Sequence, residues 1–293
     1  MSGQRIGLVG IGLAGSALAA NLVARGYVVI GYDTSEDRRL FLRHTGGTVA
    51  DSAAAVASEC ERVLLSLPDS DVVQQVLEGG TGILAASPLP RYVIDTTTGE
   101  PERTEAFAGT LLKADIVMLD ATISGSSKQI ADREAVLMVG GPREAYEACH
   151  DLFEALAQQH FHLGPVGSGS KAKLASNLIL GLNRLVLAEG LVFAEALGLD
   201  LESLLPILKS SPAYSCAMDV KGEKMIRGDF TPQSRVKQHN KDVDLILQSA
   251  ARLQQELPLT LQHKRILERA IDAGDGDLDN SVVIRHLGSR GLR

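Results

Sequence analysis

Two groups of residues in this chain have types and spacing that could do chemistry. The first is Lys173 and Asn177, four apart in a stretch with no proline between positions 171 and 197. Four residues make about one helical turn, so both side chains share a face. A lysine amine can give or take a proton at an oxygen when burial lowers its pKa toward about 7–8. A carboxamide beside it can hold that oxygen. Taken alone, a lysine on a first helical turn is ordinarily a solvated side chain. The second group is Gly10-Ile11-Gly12-Leu13-Ala14-Gly15, a G-x-G-x-x-G pattern, with Asp33 eighteen residues past the third glycine. Gly10 permits a tight turn, Gly12 lets backbone approach a pyrophosphate, and Gly15 lets a helix sit close to a strand. An acidic side chain at the position of Asp33 accepts from ribose hydroxyls and repels a 2′-phosphate. That favours NAD, while Arg38 and Arg39 close by leave NADP open.

These residues need a scaffold, and the chain supplies one. Arg5–Gly10 reads as a buried strand, followed by an Ala/Leu-rich helix to about Arg25 and a second strand, Tyr27–Tyr32. Further strands are expected at Arg62–Leu67, Arg91–Asp95, Asp115–Asp120 and Ala135–Val139, with helical segments between them such as Asp71–Glu78 and Pro101–Leu112. Such alternation implies an α/β fold with a mostly parallel, doubly wound Rossmann-type sheet, in which ligands bind at the carboxyl ends of strands. Leu67-Pro68, Thr96–Thr98 and Thr122–Gly125 all fall just past strand ends. A threonine run there serves equally well as turn capping.

The pattern then changes. Gly167-Ser-Gly-Ser-Lys-Ala-Lys173 leads into an apolar run to Leu197, with Gly198 placed as a helix terminator. Ser168 or Ser170 would cap a helix of roughly 27 residues, about 40 Å long. Leu174, Leu178, Ile179, Leu182, Leu185, Val186, Leu191, Val192 and Phe193 cover nearly every face, as in a spine buried on several sides. Only helical segments follow, at about Leu201–Lys209, Ala217–Arg227, Ser234–Gln255, Leu259–Asp272 and Asn280–Leu287, punctuated by Pro206, Pro212, Pro232 and Pro258. The expected division is a dinucleotide-binding domain over residues 1–165 and an all-α domain over 166–293 that opens with the long helix. An all-α domain of this size cannot bury the spine alone, so a homodimer or homotetramer formed through it is expected.

Composition narrows the partners. At 293 residues the chain has room for two domains. Its net charge of −7, with no basic block, argues against nucleic acid and anionic membrane. No run of 18 apolar residues is seen, so no transmembrane helix is expected. Gly7–Ala24 has the look of a secretory signal, but its regular glycines and the strand that follows favour a strand-turn-helix. Cys60, Cys149 and Cys216 are scattered and odd in number, which points to a reducing, cytoplasmic setting. His160 and His162 alternate as on a strand, without acidic or cysteine partners nearby, so no metal is expected.

With these motifs in order, the chain resembles the β-hydroxyacid dehydrogenases, a family that includes 3-hydroxyisobutyrate dehydrogenase and the tartronate, glyoxylate and succinic semialdehyde reductases. The family's D-x-S-T-x-x-P appears as Asp95-Thr-Thr-Thr-Gly-Glu-Pro101 and its D-A-P-V-S-G-G as Asp120-Ala-Thr-Ile-Ser-Gly-Ser126. Its G-x-G-x-x-x-K-x-x-N-N is Gly167 to Asn177, its K-D-L is Lys241-Asp-Val243, and its G-x-G-x-x-D-x-S runs from Gly274 to Ser281. The resemblance implies hydride transfer between a nicotinamide cofactor and a short carboxylate-bearing hydroxyacid or semialdehyde. It implies Lys173 as general acid–base, with Asn177, Ser124 and Gly125 on the substrate. It places Thr98 and Leu67-Pro68 along the cofactor, with Lys241 closing over it. Thr122, Ser126 and Ser176 depart from the family pattern around the implied pocket.

Related families fit less well. Phosphogluconate dehydrogenases are much longer and carry histidine where Ser176 stands, and imine reductases typically lack the lysine. Short-chain dehydrogenases need Tyr-x-x-x-Lys, which none of the five tyrosines provides. A non-catalytic NAD-binding sensor would not need Lys173, Asn177 and Ser124 together.

Overall fold

The structure is a computed structural model that describes residues 3–287. It divides into two compact units, Met1–Lys173 and Leu174–Arg293. The division lies inside the long helix, several residues beyond the loop where the sequence placed it.

The first unit is built on one eight-stranded sheet: β1 Arg5–Val9, β2 Val28–Tyr32, β3 Thr48–Val49, β4 Arg62–Leu65, β5 Tyr92–Asp95, β6 Val117–Ser124, β7 Val136–Gly140 and β8 Gln159–His162. The spatial order is 3-2-1-4-5-6-7-8, so the order reverses between β1 and β4. Pairing is parallel from β3 to β6. β7 runs antiparallel to β6, and β8 parallel to β7. Helices α1 Leu13–Ala24, α2 Glu36–Thr45, α3 Ala53–Glu59, α4 Ser70–Glu78, α5 Pro101–Leu112, α6 Ser127–Ala131, α7 Arg143–Ala148 and α8 His150–Leu156 complete this unit. One apolar cluster joins Ile6, Leu8, Leu64 and Ile94 to α1 and α8; another joins Val9, Val63, Leu65 and Val93 to α3, α4 and α5. Successive residues of a strand point to opposite faces. Continuous apolar runs such as Val63-Leu64-Leu65 therefore feed both clusters, as a sheet covered on both faces requires. His160 and His162 lie on β8, where their rings bond the Tyr146 hydroxyl at 2.7 Å and the Gly141 carbonyl at 2.8 Å.

The long helix α9 spans Ser168–Ala196 and begins three residues before the expected start. The cause is a carboxylate from the sheet. Asp120, buried on β6, accepts from the Gly167 amide at 2.8 Å and the Ser170 amide at 2.7 Å. Those amides belong to the turn where a helix has no internal acceptors and where its dipole favours negative charge. A serine cap was expected; at these two amides the acceptor is Asp120. Thr122, fully buried one step along β6, donates its hydroxyl to the Gly169 carbonyl at 2.8 Å. A side chain on Gly169 would press on Asp120, which is why glycine stands there. At the far end Gly198 adopts φ +81°, and the Leu199 amide donates to the Ala194 carbonyl at 3.1 Å. This is the expected glycine terminator.

The second unit contains α10 Leu201–Lys209, α11 Cys216–Arg227, α12 Val236–Arg252 and α13 Pro258–Asp272. Pro206 lies inside α10, whereas Pro258 opens α13. The last expected helix, Asn280–Leu287, is instead a 3-10 segment over Asn280–His286. Leu187, Ala188 and Leu191 of α9 join Val236, Val243, Leu267 and Val282 in one core. Among residues expected to be buried, Ile179, Val186 and Phe193 are exposed, in a stripe with sevenfold spacing. Contrary to expectation, α9 is long and apolar enough to cross a membrane by length and composition. Helices internal to a soluble core meet the same criterion, and the packing of Leu187, Ala188 and Leu191 is of that kind. Asp279 ties the 3-10 segment to α11 and its following loop. It accepts from Lys221 Nζ at 2.8 and 2.9 Å and from the Gln233 amide at 2.8 Å.

Two tests follow from the carboxylates of β5 and β6. Asp120→Ala removes the acceptor of two helix-start amides and should lower stability by about 2 kcal/mol or more. Urea unfolding measures this, and a change below about 0.5 kcal/mol would show that the helix start does not depend on Asp120. Asp95 pairs with Asp120 across the sheet and accepts from the Thr97 amide at 2.9 Å. Burial, reinforced by the nearby Asp120 charge, raises its pKa to about 7. An unfolded aspartate titrates near about 3.9, so between about pH 4 and 7 the folded protein keeps a proton that the unfolded chain has lost. Asp95 therefore contributes a stability that declines as pH rises through that window and levels off above it. Asp95→Asn should remove this decline, gaining on the wild type by roughly 1–4 kcal/mol between pH 5 and 8. A flat wild-type-minus-variant difference in urea midpoint across that range would mean that Asp95 titrates normally.

Candidate active site

The glycine-rich turn joins β1 to α1 at the point where the strand order reverses. Gly10 has φ +92°, and a side chain there would strike the Ser66 carbonyl at the end of β4. A side chain on Gly15 would run into the Gly10 carbonyl, so the helix can approach the turn only with glycine at this position. Gly12 differs, since nothing lies within 4 Å of where its Cβ would be. The backbone there is open to a ligand. Ile11 is buried as an anchor, Ala14 packs on the core, and Leu13 is exposed.

Asp33 stands at the end of β2 and reaches this turn. Its Oδ2 accepts from the Ile11 amide at 2.6 Å and its Oδ1 from the Ser35 amide at 2.8 Å. Arg39 donates to the carbonyls of Asp33 and Thr34 at 2.6 and 3.0 Å. The expected acid is thus in contact with the phosphate-binding type of turn. Of the two arginines expected to leave NADP open, Arg39 is engaged with the loop backbone.

The threonine run divides by role. The Thr96 hydroxyl donates to the Leu65 carbonyl at 2.7 Å, and the Leu67 amide donates to the Thr97 hydroxyl at 3.2 Å. Those two threonines hold the Leu67-Pro68 turn in place. Thr98 follows them, half-buried beyond the strand end, and Pro68 is exposed.

β6 carries the helix anchor Asp120 and, four residues on, Ser124. Gly125 follows, where a side chain would approach Ala135 Cβ to 2.8 Å. Ser126 was expected at the pocket as a departure from glycine. It caps α6, in a reciprocal box with Gln129. Thr122 was the second such departure, and its hydroxyl goes to Gly169. Both substitutions answer to local structure.

The two lysines near the start of α9 have opposite fates. Lys171 points to solvent and pairs with Glu105 at 2.7 Å. Lys173 is buried, with 8% of its surface exposed, one turn past the amides held by Asp120. The solvated reading of this lysine does not hold. One further turn along the helix, Asn177 is buried too, and its Nδ2 donates to Asp242 Oδ2 of α12 at 3.0 Å. Lys241 is half-buried beside it, with Nζ 3.9 Å from Asp242 Oδ1. Sequence reasoning quoted Asp120 and Asp242 inside motifs but gave neither a role. The available signal was an acid at a strand end and an acid next to an implied cofactor lysine.

The chain's likeness to known proteins agrees with this geometry. Residues 5–164 match the family described as the NAD binding domain of 6-phosphogluconate dehydrogenase. Residues 167–287 match the family described as NAD-binding of NADP-dependent 3-hydroxyisobutyrate dehydrogenase. The L-threonate dehydrogenase of Cupriavidus necator is 31% identical over 82% of this chain and 81% of its own. The 2-hydroxy-3-oxopropionate reductase of Escherichia coli is 31% identical over 84% of each. The structure of 3-hydroxyisobutyrate dehydrogenase from Mycobacterium tuberculosis with L-serine superposes with a TM-score of 0.88 at 27% identity, covering 98% of this chain and 100% of that one. The chain is also 28% identical to the cytokine-like nuclear factor N-PAC of Aedes aegypti over 83% of its length, spanning 43% of that protein. Sheet order, glycine turn, helical second unit and these matches together make the chain a member of the β-hydroxyacid dehydrogenase family, NAD(P)-dependent oxidoreductases acting on CH–OH groups.

Proposed function

We propose that this protein interconverts a short β-hydroxyacid and its semialdehyde, with Lys173 as the general acid–base. The observation that carries the reading is a buried lysine on a helix turn anchored by Asp120, one turn before a buried asparagine. An amine removed from water favours its neutral form, which is the form needed to accept a hydroxyl proton. A carbon-bound hydride and an oxygen-bound proton must leave together when a hydroxyl becomes a carbonyl. The nicotinamide, when bound, accepts that hydride. Lys173 takes the proton in this direction and returns it in the other. Asn177 holds the reacting oxygen beside it.

The remaining assignments follow position. The open backbone at Gly12, with Gly10, Ile11, Leu13 and Ala14 around it, fits a pyrophosphate. Asp33 fits the adenosine ribose by exchanging its contact with the Ile11 amide for hydroxyl donors, and this favours NAD. Thr98 and Leu67-Pro68 flank the nicotinamide side, and Lys241 is assigned to the cofactor. Ser124 and the Gly125 backbone, at the open end of β6, are assigned to the substrate carboxylate. L-threonate, 2-hydroxy-3-oxopropionate and 3-hydroxyisobutyrate, named for the relatives, all combine a carboxylate with a hydroxyl or carbonyl. A reducing, cytoplasmic setting belongs to the same proposal, from the odd number and scatter of Cys60, Cys149 and Cys216 in the sequence.

A panel of short β-hydroxyacids and semialdehydes, each with NAD(H) and NADP(H), identifies the reaction. On the best substrate, Lys173→Ala should cut kcat by about 10² or more while NAD binding and fold persist. Lys173→Arg should restore little, because a guanidinium keeps its proton near neutrality. Near wild-type turnover in Lys173→Ala would assign the proton to another group. Cofactor choice is tested separately: Asp33→Ala should lower the wild-type preference for NAD in kcat/KM by about tenfold, the equivalent of one lost hydrogen bond. A wild-type preference for NADP would refute the role given to Asp33.

A further inference from the structure

Two loops of the sheet unit carry residues assigned above to the nicotinamide side, Leu67-Pro68 after β4 and Thr98 after β5. The two strands pair in parallel with a constant offset of 30 residues, from Arg62 opposite Tyr92 to Leu65 opposite Asp95. The ladder closes with the Thr96 amide on the Leu65 carbonyl at 2.9 Å. Beyond such a point each strand of a parallel pair leaves into its own crossover. Here side-chain hydroxyls carry the register further. The Leu67 amide donates to the Thr97 hydroxyl at 3.2 Å, and the Glu100 amide donates to the Ser70 hydroxyl at 3.0 Å. The first bond runs from the β4 loop to the β5 loop, and the second runs back. Both keep the offset of 30 residues, and by the same count Pro68 falls opposite Thr98.

Ser70 and Thr97 are buried, whereas Pro68 between the two bonds is exposed and Thr98 half-buried. The ties are thus covered and the tips open. Ser70 is not needed to cap α4, because Asp69 already accepts from the Val72 amide at 3.0 Å. A side chain on Gly99 would collide with Ser70 Oγ, so glycine is what lets this hydroxyl reach the second loop. The Thr97 amide is held by Asp95 at 2.9 Å, which fixes the residue that offers the other hydroxyl. Arg103 of α5 donates to the Ser70 carbonyl at 3.2 Å and to Gln74 at 2.9 Å, joining the helices that follow the two loops. On the opposite flank the Ser66 amide donates to the Val9 carbonyl at 2.9 Å, just before the glycine turn. Glycine turn, β4 loop and β5 loop therefore form a row in which each member is tied to the next.

We propose that Ser70 and Thr97 are positioning residues for the cofactor: their two reciprocal hydroxyl bonds bracket Pro68 and Thr98 and fix the width of the nicotinamide end of its site. Removing either hydroxyl leaves a loop amide without its acceptor, and the loop must move to find another. Pro68 and Thr98 then lose their mutual spacing. The adenosine and pyrophosphate end is assigned to Gly12 and Asp33, which neither bond touches, so the loss falls on one half of the dinucleotide. The proposal rests on the placement of these loops at the nicotinamide.

The test compares two probes by calorimetric titration without substrate. NADH carries the nicotinamide, and ADP keeps only the adenosine and pyrophosphate half. The double variant Ser70→Ala/Thr97→Val should weaken NADH binding by about fivefold or more, the worth of one to two hydrogen bonds. Its affinity for ADP should stay within about twofold of wild type. Thr97→Ser, which keeps the hydroxyl, should bind NADH within about twofold of wild type. Circular dichroism and urea midpoints confirm that each variant is folded. Should the double variant not fold, Ser70→Ala and Thr97→Val are read singly, each with an expected NADH loss of about threefold or more. A smaller loss of NADH affinity in folded variants would overturn the proposal. So would a parallel loss for ADP, which would make the bonds a support of the whole unit. Failure of the proposed reaction appears elsewhere, as no turnover across the substrate panel with dinucleotide binding intact.

Discussion

The carboxylate of Asp120 joins a strand of the sheet to the start of the long helix, and the local chemistry depends on that joint. A helix start offers amides without acceptors, and a buried carboxylate needs donors; here each meets the need of the other. Burial raises the proton affinity of Asp120, while the hydrogen bonds from the Ser170 and Gly167 amides oppose that shift. Thr122 and Gly169 tighten the same junction. The consequence for Lys173 is positional. One turn past a fixed pair of amides, its backbone has no freedom to drift along the strand.

Much of the fold was legible because it rests on local rules. Strands with apolar runs, the glycine pattern, the terminator at Gly198 and four of the five trailing helices came directly from periodicity and punctuation. What escaped was non-local. β3 has two residues and too little pattern to read, and α6 exists through a capping box between Ser126 and Gln129. The start of α9 was misplaced because its acceptor comes from fifty residues away in sequence. The final segment winds as 3-10 between Asp279 and Leu287, with Asp279 drawing amides from two stretches of chain.

The candidate site divides in the same way. Gly10, Gly12, Gly15 and Asp33 could be read from spacing, because their roles are set by backbone shape. Burial at Lys173 could be inferred only from context, since Lys171 two residues earlier has the same side chain and the opposite environment. Thr96, Thr97 and Thr98 show the limit of reading by residue type. Two of them are ties between strands and turns, and nothing in the sequence says which. Asp242 needed the packing of α12 on α9 to be recognised as the partner of Asn177.

Gly181 and Gly190 lie on the same helix, and on an isolated helix alanine would improve either by about 1 kcal/mol. At Gly190 nothing stands within 4 Å of the added methyl. At Gly181 the methyl would meet His239 Nε2 at 2.6 Å and His263 Cε1 at 2.7 Å. One glycine is therefore an unclaimed position for a protein engineer seeking thermal tolerance. The other is the gap through which two imidazoles reach the helix backbone, and filling it would push apart the helices that carry them.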